Sequence, residues 1–164
     1  MIKLAVYLII SMVKVICSIA YLLLFCLAVN AQTSIEEPFK PSSTFEAAKR
    51  EASKNNKQVF IYFSGSDWCK PCIQFRDNII NTPEFTKFSA EHFIVLQADF
   101  PRLKKNKLSP DQYKNNEALA ELYNRQGVFP WVVITDSTGN VILQTGYDKN
   151  SPEAFIAGIK PVLK

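Results

Sequence analysis

The feature that most restricts the fold is a Cys-x-x-Cys pair that lies between a predicted strand and a predicted helix. The segment "QVFIYFSG", residues 58–65, is rich in β-branched and aromatic residues and has polar and glycine neighbours, which is typical of a buried strand. Cys69 and Cys72 follow it, and Cys72, Phe75 and Ile79 then recur at helical spacing. The cysteines are therefore predicted to lie in the first turn of a helix that comes directly after a strand.

Strands and helices also alternate over the rest of the chain. Strands are predicted at residues 93–100, "FIVLQADF", at 131–136, "WVVITD", and at 141–146, "VILQTG". The last two are close enough to form a hairpin around "STGN". This order predicts an α/β fold with a mixed central sheet and helices on both of its faces.

The predicted helices are indicated by capping residues and apolar stripes. Ser43 and Glu46 have the spacing of a capping box, and Thr82 with Pro83 begins another helix. Apolar stripes fall at three further places: Phe45, Ala48 and Ala52; Leu119, Leu122 and Tyr123, with Gly127 as the stop; and Phe155, Ile159 and Val162, after Ser151 and Pro152.

Residues 1–31 differ from the rest of the chain and are predicted to be a signal peptide. The segment has Lys3 near its start, an apolar run over residues 15–27, and "VNA" at its end, with small residues where a signal peptidase reads. Cleavage is expected after Ala31. The alternative is an uncleaved membrane anchor, since about 20 apolar residues can cross a bilayer. Lys14 divides the run and argues against it.

The expected organisation is a signal peptide over residues 1–31, a polar linker over residues 32–42 and one domain over residues 43–164. Without the signal peptide the formal charge falls from +4 to +2, because two lysines and no acids are lost. This small charge, without a basic stripe that contains aromatic residues, argues against nucleic acid as a partner. The basic cluster "PRLKKNK", residues 101–107, is interpreted as a solvated loop.

The number and positions of the cysteines limit the roles that Cys69 and Cys72 can have. Cys17 and Cys26 fall in the signal peptide, so Cys69 and Cys72 have no other cysteine to bond within the mature domain. A zinc site needs about four ligands, and the two cysteines with the single histidine, His92, supply only three. A disulfide around two intervening residues removes little chain entropy, so a purely structural role would stabilise the fold weakly. These arguments favour a redox pair.

The position of the pair at a helix start predicts different roles for the two thiols. Free N–H groups and the positive end of the helix dipole stabilise a thiolate, which favours Cys69 as the attacking group. Cys72 belongs to the apolar stripe and is expected to break the mixed disulfide.

A family resemblance rests on "WCKPC", residues 68–72, and "GVFP", residues 127–130, and extends to "FSGSDWC", "ADFP" and "NEALAELYNRQGVFP". These segments resemble the thioredoxin-like superfamily, and most of all exported bacterial thiol:disulfide interchange proteins, over residues 44–164. The resemblance implies a thioredoxin-like fold.

The resemblance also implies a set of site residues. Cys69 and Cys72 would form the redox couple. Pro130 would be cis and flank the bound substrate backbone, Phe129 would lie near the cysteines, and Trp68 would cover the motif. Two further residues are expected to tune the reduction potential, in opposite directions. Pro71 is associated with reducing thioredoxins, whereas the charge of Lys70 favours the thiolate and a more oxidising pair.

One family feature is missing from the chain. Thioredoxin has a buried aspartate in the strand before its motif, and Tyr62 and Phe63 are the nearest positions here. Because that base is missing, slower attack by Cys72 on the mixed disulfide, or proton transfer to water, is expected. Asp67 and Glu84 are candidate replacement bases by proximity in sequence. The segment 101–112 is also longer than the corresponding connection of thioredoxin, and the sequence assigns it no role.

These features predict an exported thiol-disulfide oxidoreductase that reduces protein disulfides with Cys69 and Cys72 and needs no cofactor or metal. Its partners would be proteins with disulfides and, as reductant, a membrane electron-relay protein. Its location would be the periplasm, or the membrane if the N-terminal segment is retained. The alternatives are a disulfide oxidase or isomerase with the same couple, and a non-catalytic thioredoxin-like module that binds proteins.

Overall fold

The computed structural model describes Lys14 and residues 44–163. The chain divides into two units, Met1–Glu37 and Pro38–Lys164, and the fold described below belongs to the second. Apart from Lys14, the predicted signal peptide and linker lie outside the described residues. Within the described part of the chain, no helix is long and apolar enough to cross a membrane.

In residues 44–163, four strands form one sheet: β1 (Gln58–Ser64), β2 (Phe93–Asp99), β3 (Trp131–Thr135) and β4 (Val141–Gly146). Their order is β2-β1-β3-β4, with β1 parallel to β2 and the other two pairs antiparallel. β1 is buried along its whole length because it has a strand on each side and helices on each face. The predicted mixed sheet is confirmed.

The same residues form five α-helices: α1 (Phe45–Asn55), α2 (Lys70–Phe75), α3 (Pro83–His92), α4 (Pro110–Tyr123) and α5 (Pro152–Ile159). A π-helical turn, Arg76–Ile80, continues α2, and 3₁₀ turns lie at Lys104–Asn106 and Lys160–Val162. Three helices start in the same way, with a side-chain oxygen that accepts a backbone N–H and a proline directly after it. The capping residues are Thr82, Ser109 and Ser151.

Side chains of β1 alternate between two apolar cores, one on each face of the sheet. Phe60 and Tyr62 point to the face that α2, α3 and α5 cover, where they pack with Phe75, Phe85 and Phe155. Val59, Ile61 and Phe63 point to the face that α1 and α4 cover, where they pack with Ala48, Ala52 and Leu119. Helices on both faces, as the sequence predicted, are confirmed.

Some predicted details of α1 and α4 are wrong. The cap of α1 is Thr44, whose Oγ1 accepts the N–H of Ala47 at 3.2 Å, in place of the predicted Ser43 and Glu46 pair. α4 begins earlier than predicted and ends at Tyr123, before Gly127. Leu122 does not share the buried face of α4: its exposed fraction is 64%, against 3% for Leu119. Leu122 therefore lies beside the face of α4 that packs on the sheet, and not on it.

Candidate active site

Three segments of the chain meet at one edge of the sheet, the edge at which β1 and β2 end and β3 begins. β1 and β2 are parallel, with Ser64 opposite Asp99, so both strands end at this edge. β3 is antiparallel to β1 and begins there with Trp131. The cysteine motif after β1, Phe100 after β2 and Pro130 before β3 are therefore neighbours, although they are far apart in the sequence.

Cys69 and Cys72 form a disulfide at this edge. The two Sγ atoms are 2.06 Å apart and the two Cα atoms 5.2 Å apart. Cys69 is the N-cap of α2, and its Sγ lies 3.3 Å from the backbone nitrogen of Cys72. Pro71 is in the first turn, where its missing N–H breaks no helical hydrogen bond. One helical turn thus brings the second cysteine back to the first.

The two cysteines differ in their surroundings. Cys69 lies at the helix start with an exposed fraction of 6%, while Cys72 lies on the buried side of α2 with Phe75 and has an exposed fraction of 2%. After reduction, the N–H groups at the start of α2 would stabilise a thiolate on Cys69. Lys70 is exposed beside it and adds positive charge.

Trp68 is held in place by contacts on several sides. Its Nε1–H donates to the carbonyl of Phe100 at 2.7 Å, its ring meets the ring of Phe129 edge-on at 5.7 Å, and the guanidinium of Arg102 lies 3.7 Å from its ring centre. Gly65 makes room for the indole. A Cβ at this position would lie 2.3 Å from Trp68 Cε2, and the φ angle of Gly65 is not positive. The glycine is therefore explained by close contact rather than by a turn conformation.

The peptide bond between Phe129 and Pro130 is cis, as the resemblance implied. Pro130 is buried, and Phe129 is half-buried between Trp68 and Phe100, with ring centres 5.7 Å and 5.6 Å away. The predicted substrate-binding residues Trp68, Phe129 and Pro130 thus come together at the edge that carries the disulfide.

Asp99, at the end of β2, connects the turn before the cysteines, residues 65–68 (the motif turn), to the sheet. Its carboxylate accepts the Oγ–H of Ser64 at 2.8 Å, the backbone N–H of Ser66 at 2.8 Å and the Oγ–H of Ser66 at 2.5 Å. Sequence reasoning missed this residue. Its position beside the motif depends on the parallel pairing of β1 with β2, which the strand sequences do not specify.

Asp67 connects the motif turn to the segment after β2. Its carboxylate accepts the backbone N–H groups of Arg102 at 2.9 Å and Leu103 at 3.0 Å, and the side-chain amide of Asn106 at 2.9 Å. The hydrogen bond from the N–H of Arg102, above all, lowers the pKa of Asp67 below its usual value. Asp67 therefore holds a loop, and its ionised carboxylate is occupied by donors from that loop.

The buried acid of thioredoxin has no equivalent in β1. Phe63 is fully buried, and Tyr62 is a buried phenol whose pKa is raised, mainly by desolvation and further by the charge of Asp99. Glu84, the other candidate base, is exposed in the first turn of α3. None of these three residues offers a buried carboxylate to Cys72.

His92 lies at the opposite edge of the sheet, where β1 and β2 begin. It precedes β2, whereas the cysteines lie near the end of β2, so the length of the strand, roughly 20 Å, separates them. Its ring packs against Phe88, and its Nε2 is 3.9 Å from the carboxylate of Glu91. Among the described residues, no group of three or more His, Cys, Asp or Glu side chains could hold a metal ion.

The sequence profile of a family described as thioredoxin-like matches residues 40–137, which is more than half of the chain. This chain belongs to the thioredoxin-like family. It is 30% identical over 121 residues to the disulfide bond reductase DsbH of Chlamydia pneumoniae, and the match covers 74% of this chain and 71% of that protein.

Solved structures of thioredoxin-like proteins have the same fold. A structure titled DsbH oxidoreductase superposes with a TM-score of 0.68 at 26% identity, over 81% of this chain and 91% of that one. A disulphide isomerase from Xylella fastidiosa Temecula1 gives a TM-score of 0.52 at 22% identity, over 69% and 86%, and shows the fold alone. With these relatives and a closed Cys-x-x-Cys pair, the thioredoxin-like chain is a thiol-disulfide oxidoreductase.

The structure brings the predicted site residues of this thioredoxin-like chain together, and it adds neighbours that the sequence did not indicate. The predicted residues lie at one edge of the sheet: Trp68, Cys69, Lys70, Pro71, Cys72, Phe129 and Pro130. Phe100 and Arg102, which contact Trp68, were missed because they follow a different strand. The pairing of β1 with β2, which brings them to Trp68, is not visible in a single sequence.

Proposed function

We propose that this protein is an exported thiol-disulfide reductase of protein disulfides, with a signal peptide over residues 1–31, a linker over 32–42 and a domain over 43–164. The observation that carries the proposal is the Cys69–Cys72 disulfide, closed at the start of α2 beside an aromatic surface. The similarity to a protein named disulfide bond reductase supports the direction of the reaction. The disulfide is the state in which one catalytic cycle would end.

The cycle begins with the reduced pair. The Cys69 thiolate attacks one sulfur of a substrate disulfide, the substrate S–S bond breaks, and the other substrate sulfur leaves as a thiolate. The result is a mixed disulfide between Cys69 and the substrate. Because Cys69 is the more exposed cysteine and lies at the positive end of α2, it is the sulfur that a substrate can reach.

Cys72 completes the reaction. It loses its proton and attacks Cys69 Sγ, which releases the second substrate thiol and closes the Cys69–Cys72 disulfide; two electrons have then passed to the substrate. On the face that α2 covers, β1 offers the phenol of Tyr62 and no carboxylate. The proton of Cys72 therefore goes to water or to the departing substrate thiolate.

The residues around the disulfide supply the substrate surface. Trp68 and Phe129 present partly exposed rings beside the pair and would contact apolar atoms next to the substrate cysteine. Pro130 would pack against the substrate backbone. Lys70 and Pro71 would set the reduction potential, and a membrane electron-relay protein would return electrons to the pair after export to the periplasm.

The direction of electron flow is tested by equilibrium against glutathione. A reductase should have a reduction potential near that of thioredoxin, about −270 mV, whereas a value near −180 mV or above would assign the protein to the oxidase or isomerase class. Insulin reduction by the wild type, with none by Cys69→Ser, would exclude a module that only binds proteins.

The roles of the two cysteines are tested by trapping. Cys72→Ser should accumulate mixed disulfides with exported proteins, which a reductant releases, and Cys69→Ser is the matched control that should accumulate none. The opposite pattern would reverse the assigned roles. Export is tested separately by N-terminal sequencing: a first residue of Gln32 supports cleavage after Ala31, and a first residue of Met1 supports the anchor.

A further inference from the structure

The segment that follows β2 forms a positively charged loop beside the active site. This segment, residues 101–108, is called the basic loop below. It carries Arg102, Lys104, Lys105 and Lys107, all exposed, and no acid. Among the described residues, the ion pairs join Lys49 to Glu46, Arg76 to Asp77 and His92 to Glu91, so none involves the basic loop.

The basic loop has a fixed position relative to the cysteines. Asp67, two residues before Cys69, accepts hydrogen bonds from Arg102, Leu103 and Asn106 at 2.9 to 3.0 Å. The 3₁₀ turn Lys104–Asn106 adds two internal hydrogen bonds: the N–H of Asn106 donates to the carbonyl of Leu103, and the N–H of Lys107 donates to the carbonyl of Lys104. The charges are therefore presented by an ordered segment, which lowers the entropy lost when a partner binds.

Arg102 links the basic loop directly to the active-site surface. Its guanidinium stacks at 3.7 Å on the ring of Trp68, which precedes Cys69. Stacking uses the face of the guanidinium and leaves its N–H groups along the edge available to a carboxylate. A carboxylate bound there would lie next to a substrate that reaches the disulfide.

The basic loop also borders an apolar cleft of about 440 Å³. Its apolar lining comes from Pro101, Leu103, Leu108, Pro110 and Tyr113, and the basic residues Arg102, Lys104 and Lys107 line it as well. Of Leu103 and of Tyr113, 48% is exposed. Tyr113 packs edge-on against Phe100, which in turn contacts Phe129. A row of aromatic rings thus runs from this cleft to the substrate surface beside the cysteines.

Acidic groups near the basic loop offset only part of its charge. The carboxylate of Asp67 already accepts three hydrogen bonds from the loop. Glu117 raises the pKa of Tyr113 and, with Glu121, lines a different cleft to which Phe100 and Phe129 also contribute. Two further acids flank the loop in sequence: Asp99, whose carboxylate accepts hydrogen bonds from Ser64 and Ser66, and Asp111, in the first turn of α4. The rim of the site is therefore positive on the side of the basic loop.

We propose that the basic loop docks an acidic segment of the protein whose disulfide is reduced. Carboxylates of that segment would bind Arg102 and the three lysines, and one apolar side chain would enter the cleft between Leu103 and Tyr113. This inference rests on the proposed function, because the bound segment must place a substrate disulfide at Cys69. Substrates with acidic residues next to their cysteines would therefore be reduced fastest.

The test compares two peptides that share one intramolecular disulfide. One has the flanking sequence Glu-Leu-Glu-Glu and the other Gln-Leu-Gln-Gln, and kcat/KM for their reduction is measured at several salt concentrations. The acidic peptide should be preferred about tenfold at low ionic strength, since attraction of this kind raises association rates. The preference should shrink near 0.15 M salt, where the screening length is about 8 Å.

Two triple variants with the same change in charge separate the basic loop from the general charge of the protein. Lys104→Gln, Lys105→Gln and Lys107→Gln together should remove most of the preference while the neutral peptide is reduced at the wild-type rate. The control combines Lys54→Gln, Lys87→Gln and Lys160→Gln, three exposed lysines on other surfaces, and should keep the preference.

The possible failures point to different errors. Reduction of both peptides at equal rates would overturn the docking proposal and leave the proposed function intact, as would an equal loss of preference in both triple variants. Reduction of neither peptide would overturn the proposed function and this inference with it. Vesicles with anionic phosphatidylglycerol offer the last comparison. If the wild type binds these vesicles, the loop variant does not, and neither peptide is preferred, the basic loop is a membrane-binding surface and the proposal is overturned.

Discussion

Replacement of Gly65 by alanine tests how the indole of Trp68 is held over the motif turn. A Cβ at this position would lie 2.3 Å from Cε2, 2.5 Å from Nε1 and 2.6 Å from Cζ2 of Trp68. Non-bonded carbon atoms do not approach so closely, so the indole must leave its place. Because the φ angle of Gly65 is not positive, alanine strains the site through this clash and not through its backbone conformation.

The expected loss follows from the contacts that the indole gives up. The hydrogen bond to Phe100 contributes about 0.5 to 1.5 kcal/mol, the contact with Phe129 a similar amount, and the stack with Arg102 about 0.5 to 1 kcal/mol at an exposed site. Alanine offsets about 0.4 to 1 kcal/mol of this loss, because it lowers the conformational entropy of the unfolded chain. Together these terms lower the free energy of unfolding by about 0.5 to 3.5 kcal/mol, and the central value of about 2 kcal/mol lowers the Tm by about 8 °C in a domain of this size.

Urea unfolding of the disulfide form measures this loss, and two further variants show its cause. Gly158→Ala is the control, because a Cβ there meets nothing within 4 Å. As Gly158 lies within α5, alanine should stabilise the protein, by up to about 1 kcal/mol. In a Trp68→Ala background, Gly65→Ala should no longer destabilise. An equal loss with and without the indole would refute the reasoning.

Further predictions concern Asp67 and two leucines of α4. The pKa of Asp67 is lower in the folded state, so its stabilising contribution is present at neutral pH and is lost as the pH falls below about 4, through the folded pKa. NMR shifts of the Arg102 and Leu103 amides should titrate in that range and should not do so in Asp67→Asn; a titration that persists would contradict the assignment. Leu119→Ala should lower the free energy of unfolding by about 2 to 5 kcal/mol, whereas Leu122→Ser should change it by less than about 0.5 kcal/mol. Similar losses at both positions in urea unfolding would mean that Leu122 is buried.

The sequence carried strong local signals for most of the fold. β1 was predictable because residues 59–63 are all β-branched or aromatic and have polar residues on both sides. Thr82 with Pro83 marked the start of α3. The start of α4 was missed because the first half of this helix is polar and has no apolar stripe. The residues Ser109 and Gln112 form a capping box that could have revealed it.

Features that depend on which strands are neighbours could not be predicted from local patterns. Cys69 and Cys72 are three positions apart, so one helical turn was enough to pair them. Asp99 bonds to Ser66 across 33 positions, and Asp67 bonds to Arg102 across 35. Such contacts exist only because β1 pairs with β2 in parallel with Ser64 opposite Asp99, and the strand sequences do not specify that register.

The two aspartates connect the same pair of segments in opposite directions. Asp99 reaches from the end of β2 to Ser64, the last residue of β1, and to Ser66 in the motif turn, while Asp67 reaches from the motif turn to the basic loop. The Nε1–H of Trp68 and the N–H of Phe100 add a bond in each direction between these segments. The motif turn and the basic loop therefore form one ordered unit. A substrate segment held by the loop would be held at a defined distance from Cys69, so docking would contribute orientation as well as affinity.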